Sequence, residues 1–594
     1  MYDGRRGERE DVYGNFGRVR DERHREPPPH RNDRRREPSP RRDERYQYGD
    51  ERRERFVDDQ IFRRSDEDDR HRRGRAEDCY RSQWPREERG CPLPQFGDRG
   101  GPMDAPLLTD KLKRACSIDE VLRLVDEHGE AFDRIHCSAA WSFIGKQPRL
   151  ECRKPQNQLG VAQLLRLTKA RVAKCGAREL ANIVHGVAKS HVTPAGVREL
   201  LDAVAAAAMP LLDRFEPQHI ANTTWAYATA GHSAPALFDA IAAAAPWRLG
   251  EFEPHHLSIT AWAYATAGHS APALFDSIAT AAAPRLGDFK AQNLANTAWA
   301  YATMSHPAPA LLDAIATEAT PRLSEFDSQN LGNTVWGFAK LGHSAPALLD
   351  AIATAAPPRL RTFSIQALSN TAWAYAAAGH SAPALLDAIA AAVLPRLAGF
   401  EPHELANTAW AYATAGHSVP ALFDAIAALA PLRMRYIKAQ GLAYLAWAYA
   451  TAGHSAPALL DAIAAESVLL LRDFNAQELA SAAWAFAKAG HSAPALFDAI
   501  ATLATPRLRD LEAICFKPQD LANTAWAFAK AGHSAPTLFD AIAAAAAPRL
   551  RDFQPKDLAN TAWAFEKAGH SAPALLDAVG EVTRSALRDR LGPG

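Results

Sequence analysis

Cysteine is scarce and unpaired in this sequence. Seven are spread over 594 residues with no C-x-x-C spacing, which fits a reducing compartment and argues against a disulfide framework or a cysteine-built zinc site. No apolar run approaches the ~18 residues of a membrane-spanning helix. The N-terminus has no apolar core for a secretory signal, and its many acids set it apart from an organelle transit peptide, so no address is legible there. Net charge is also missing: 68 basic residues balance 68 acidic ones, and no global basic field is available to draw in nucleic acid. Lysine is absent from the first 100 residues, which hold 27 Arg and 25 Asp or Glu. Such a segment cannot offset its ordering entropy by burial, so residues 1–105 are expected to be a disordered, mixed-charge arm.

What the chain does have is one unit written ten times. Trp225, Trp262, Trp299, Trp336, Trp373, Trp410, Trp447, Trp484, Trp526 and Trp563 follow one another at 37 residues, except for 42 between Trp484 and Trp526, where "LEAIC" (511–515) is inserted. A period of this length marks units too small to bury an apolar face alone. In "FEPHELANTAWAYATAGHSVPALFDAIAALAP" (400–431), Pro402 suits a first helical turn. Leu405, Ala409, Trp410, Tyr412 and Ala413 share one side of a helix, here the A helix, and Gly416 suits its left-handed end. Ser418 is expected to cap a second, B helix, which Pro431 ends or kinks. The fold class expected is all-α: an α-solenoid of helix hairpins. Residues 106–214 are read as degenerate N-terminal repeats, with echoes of the A helix around Trp141 and His185, residues 215–580 as the ten units, and 581–594 as a C-terminal tail. The insertion is expected to bulge from a connection without breaking the stack.

On a helical wheel the Leu five before Trp, the aromatic two after it and the alanines between form a packing face. The opposite arc holds the residues six, three and two before Trp and one and four after it, and is the arc expected to meet a ligand. Six before Trp the residue varies: His219, His256, Asn293, Asn330, Ala367, Glu404, Gly441, Glu478, Asp520, Asp557. Three before, it is Asn222, Asn296, Asn333, Asn370, Asn407, Asn523 and Asn560, with Ile259, Tyr444 and Ser481 in the other units. An amide there can read a base edge or lace neighbouring hairpins together. Four after stand Lys340, Lys488, Lys530 and Lys567, with Thr or Ala elsewhere. Beyond the B helix recur Arg248, Arg285, Arg322, Arg359, Arg396, Arg433, Arg507 and Arg549, placed either to meet phosphates or to pair with an acid three residues on. The Trp column is either core or a rim on which bases stack. The His seven after each Trp, the adjoining Ser, and the Asp at 239, 276 and equivalent positions repeat in every unit. They point to a shared hairpin contact rather than to a metal site or ten active sites, and no cofactor, metal or enzymatic site is expected.

The strings "LANTAWAYATAGH", "ELASAAWAFAKAGH" and "APRLRDFQPKDLANTAWAF" resemble octotricopeptide-type helical repeats of organelle proteins and, more loosely, the helical region of FAST-kinase-like proteins, over about residues 116–580. The resemblance implies an organellar, mitochondrial or chloroplast RNA-binding protein acting in transcript stability, RNA processing or translation. The RAP-type domain often found after such arrays is not evident, so no nuclease-like activity is carried over. Two readings remain: a binder of single-stranded RNA with about one base per hairpin, or a protein-binding solenoid scaffold. Neither calls for a membrane or a small-molecule substrate.

Overall fold

A computed structural model describes residues 104–148, 152, 154–192, 196–510 and 514–591. The arm expected to be disordered lies outside them, except at Asp104 and Ala105, where the helix Ala105–Arg114 begins. Among the described residues the regular structure is helical throughout, α-helices alternating with 3-10 turns, and no strand occurs.

Each unit is built from local rules. Its A helix starts on an extended N-cap residue, commonly followed by Pro at the first helical position, as at Pro217, Pro254, Pro402 and Pro518. It ends where Gly231, Gly268 or Gly416 takes a left-handed φ of 58°, 63° or 61°. There the next backbone N–H, that of His232 for example, turns back to the Tyr227 carbonyl at 3.1 Å, the closing bond of a Schellman motif. The B helix follows from a Pro at its first position, but its N-cap is Ala or Val, as at Ala234 and Val419, with no side-chain hydrogen bond. Ser418 is therefore not the cap: it lies one residue too early. Pro431 does end its helix, and beyond it comes a third element that the repeat pattern did not announce. This is the 3-10 turn Ala430–Tyr436, with counterparts such as Pro246–Glu251 and Leu394–Gly399. Proline cannot supply the i→i−4 bond an α-helix would need, and the tighter turn tucks Leu249 or Leu397 into the core.

The described residues divide into two compact units, one up to Ile315 and one from Ala316 onward. In the first, the A-type helices Arg134–Ile144, Ala177–Ser190, Pro217–Ala230, Pro254–Ala267 and Ala291–Thr303 pack in sequence order. In the second, the same holds from Ser328–Lys340 to Pro555–Lys567. This is an all-α solenoid. Leu405, Tyr412, Leu422, Phe423 and Ile426 show how each hairpin fills its seam: all are buried, at roughly 1.5–3 kcal/mol for each large apolar side chain. The last helix, Pro573–Leu591, runs on through most of the segment set apart as a tail.

Three polar clasps recur between successive hairpins. The Tyr two after Trp donates to a carbonyl of the preceding B helix, as Tyr412 to Leu386 at 2.7 Å. The His seven after Trp meets the recurrent Asp of that same helix, as His417 Nε2 and Asp387 Oδ1 at 2.7 Å. In most units the Arg beyond the B helix donates to the Phe that closes the 3-10 turn before it, as Arg396 to Phe363 at 2.8 Å. In the degenerate region Trp141 is core and no part of the Trp column. A capping box between Asp133 and His136 sets the register one residue away, and the Trp141 indole is fully buried against Thr168 Oγ1 at 3.0 Å. His185 does occupy the column, its ring 5.0 Å from that of Trp225. The next residue, Gly186, lies so close to the neighbouring helix that a Cβ would meet the Trp141 carbonyl oxygen at 2.3 Å.

Candidate nucleic-acid interface

An A helix inside the stack is covered by its own B helix and by the A helices before and after it. The strip left open is therefore narrower than the arc expected from one helix, and it is rotated. The Thr two before Trp and the Ala or Gly after it are buried, for example Thr408 and Ala411. So is most of the column six before Trp: of its eight polar members, seven are buried and only Glu478 is half-exposed. That column caps helices. His219 Nδ1, Asn293 Oδ1, Glu404 Oε2 and Asp520 Oδ2 accept the N-cap N–H of Glu216, Lys290, Glu401 and Lys517 at 3.1, 3.2, 2.7 and 2.9 Å. His256 and Glu478 do the same. Asn330 and Ala367 instead donate their own N–H to the N-cap side chains of Asp327 and Ser364. His, Asn, Glu and Asp alternate because each offers an acceptor at the third helical position. Burial pushes the Glu404 carboxyl up to about 7, against the Glu401 N–H bond that favours its charge, and it raises the Asp520 and Asp557 carboxyls as well.

The open strip consists of the residues seven and three before Trp, the Trp edge, and the residue four after, which share one face at helical spacing. The Asn column lies on it, half-buried at Asn222, Asn333, Asn370, Asn407, Asn523 and Asn560, while Asn296 is buried. Lys340, Lys488, Lys530 and Lys567 are exposed on it. The Lys488 ammonium sits 5.9 Å from the centre of the Trp484 ring, within cation–π range. The indoles form a ladder: Trp373, Trp410, Trp447, Trp484, Trp526 and Trp563 of the second unit follow at 6.2–6.5 Å between ring centroids, tilted by 28–33°. In the first unit Trp262 and Trp299 are 6.5 Å apart. The column is largely core with one edge on the strip: Trp410 is 6 % exposed, and Trp563, in the last unit, 39 %. Among the buried polar atoms without a hydrogen-bond partner are Trp262 Nε1 and Thr266 Oγ1, one turn apart on this strip.

The column seven before Trp was missed: Gln218, His255, Gln292, Gln329, Gln366, His403, Gln440, Gln477, Gln519 and Lys556. Its position one turn before the Asn column was the available signal. The degenerate repeat keeps the same pattern in Arg178, Asn182, His185 and Lys189.

The Arg column does not line this strip. Arg248, Arg285, Arg507 and Arg549 donate to the carbonyls of Phe215, Phe252, Phe474 and Phe516 at 2.7–2.9 Å, Arg433 to that of Phe400, and Arg359 to that of Leu323 at 3.1 Å. Arg248 also pairs with Glu251, and Arg322 with Glu318 and Glu325. The expected pairing with an acid three residues on is present there, and the guanidinium works as a seam clasp. Glu253, His255 and His256 bring ligand atoms within 4.8 Å of one another, yet His256 Nδ1 already accepts the Glu253 N–H at 3.2 Å.

A family model described as RNA-editing substrate-binding complex 6 protein matches residues 151–376 and again 355–589. No curated protein matches the chain. Solved structures similar to it include a homology model of the full-length AP-3 complex in an intermediate open conformation, 10 % identical, covering 81 % of this chain and 93 % of that one at a TM-score of 0.24. Another is a circular tandem repeat protein with novel repeat topology, 13 % identical, covering 82 % and 96 % at a TM-score of 0.14. At those scores neither bears on fold or function.

Proposed function

Since the chain belongs to the family of RNA-editing substrate-binding complex 6 proteins, we propose that it holds single-stranded RNA along the open strip of its A helices, as a binding subunit and not an enzyme. The observation that carries this reading is the recurrence along the strip of one chemical set, an amide or imidazole, an Asn, an indole edge, and a Thr or Lys, complete in five of the ten hairpins and changed at one position in each of the others. Aromatic faces stack bases without regard to sequence, amides pair with base edges, and ammonium groups answer phosphates. The near-neutral array fits a ligand held by stacking and hydrogen bonds more than by charge. The resemblance to organellar repeats supports extending the proposal to transcript processing, stability or translation in a mitochondrion or chloroplast.

A protein-binding role is favoured beside this one by a separate observation. In most units the residue 22 after Trp is Pro, as at Pro284 and Pro395, but Leu432 and Leu469 hold that position in adjacent units and are 78 % and 77 % exposed. Large apolar side chains left open side by side suit a partner in an assembly. Fluorescence anisotropy of the full chain with single-stranded and double-stranded RNA of one sequence tests the RNA reading. Preference for the single strand supports it, and no binding to either leaves the scaffold.

A further inference from the structure

In two consecutive hairpins the Asn column gives way, to Tyr444 and then to Ser481. The Tyr444 ring lies back on Trp410, 5.7 Å between centroids and 26° between planes, and its hydroxyl accepts from Gln440 Nε2 at 3.2 Å. An aromatic wall is thereby fixed on one side. On the other, the short Ser481 leaves space where the Asn side chain stands in most units. The result is a pocket on the open strip, lined by Gln440, Tyr444, Asn475, Gln477, Glu478 and Ser481.

Glu478 is the one polar residue of the capping column that this opening uncovers. One carboxyl oxygen, Oε2, accepts the Asn475 N–H at 2.9 Å as its equivalents do, and the other is left to serve the pocket wall. A π-face beside a carboxylate acceptor, with Gln477 and Ser481 at the rim, selects for a flat ring whose edge presents N–H donors. We propose that this pocket is a nucleobase subsite that takes an amino-bearing base (guanine, cytosine or adenine) and rejects uracil, and in this it rests on the RNA reading above. Carboxylates accept from exocyclic base amines. Uracil offers one N–H flanked by two carbonyl oxygens, which the carboxylate repels.

The test is selection of RNAs from a randomised single-stranded pool by the full chain and by two variants. Glu478→Gln keeps an acceptor for the Asn475 N–H, and Ser481→Asn restores the residue of the other units; thermal melts followed by circular dichroism check that both fold as the parent does. The parent is expected to deplete uracil at one position of its selected sequences. Either variant should relax that position by on the order of tenfold while leaving the other positions as they were. A selected sequence that both variants leave unchanged at every position overturns the subsite and leaves the RNA reading standing. A parent chain that retains no single-stranded RNA overturns both.

Discussion

His533 Nε2 lies 2.9 Å from Asp498 Oδ1 although 35 residues separate them, against 30 for the same pair elsewhere in the array. The insertion at 511–515 accounts for the difference, and its residues 511–513 lie outside the described ones. On either side of it the Trp484 and Trp526 rings keep the 6.2 Å of their neighbours, and Arg549 reaches Phe516 at 2.8 Å. Deleting residues 511–515 should therefore leave helical content unchanged by circular dichroism and the melting temperature within a few degrees, since loop length costs little. A drop in helicity would show that the insertion carries part of the stack.

Replacing Arg396 by Ala should destabilise the array by about 1–2 kcal/mol, because the Phe363 carbonyl loses a charged donor. It should weaken RNA binding less than Lys530→Ala, whose side chain stands exposed on the open strip. Urea unfolding and anisotropy on the same two variants check the pair. The reverse order of RNA effects would return the Arg column to phosphate contact.

The buried Glu404 makes stability depend on pH in a stated direction. Its carboxyl titrates at about 7 in the folded chain against an ordinary 4.5, raised by burial, so the folded state prefers the proton. That contribution is fully present below about pH 4.5 and is lost as pH rises through about 7. Glu404→Gln keeps the acceptor for the Glu401 N–H and removes the charge. It should stabilise the protein above pH 7 by on the order of 1–3 kcal/mol and flatten the profile between 4.5 and 7. Thermal melts across that range read both effects, and a parallel shift of the whole curve would contradict the assignment.

Ser305 holds the left-handed position, at φ 51°, that Gly fills in equivalent units such as Gly342 and Gly379. Ser305→Gly should raise stability by about 1 kcal/mol, as an L side chain is strained there and Gly is not. Chemical unfolding of the single variant checks the sign.

The hairpin itself was legible because its signals are local. Pro402 opens an A helix, Gly416 closes it, and Leu405 and Tyr412 fall at core spacing. The 3-10 turn was hidden because Pro431 reads as a stop and carries no signal for the tighter turn beyond it. The orientation of the open strip was hidden for a different reason. A helical wheel shows one helix, while Thr408 is buried by the neighbouring A helices of the stack. That error made Glu404 look like a reader of bases when its partner is the N–H of Glu401 three residues away. The spacing of the capping box was in the sequence, but the variety of acceptors disguised it.

The claim that the open strip holds single-stranded RNA is tested most directly by salt dependence. Lys488, Lys530 and Lys567 stand exposed on three successive hairpins, and a single strand loses about 0.7 in log–log slope for each phosphate contact removed. The variant with all three changed to Ala should bind more weakly and with a slope shallower by about 2, while its melting temperature matches that of the parent. An unchanged slope and affinity would contradict the account.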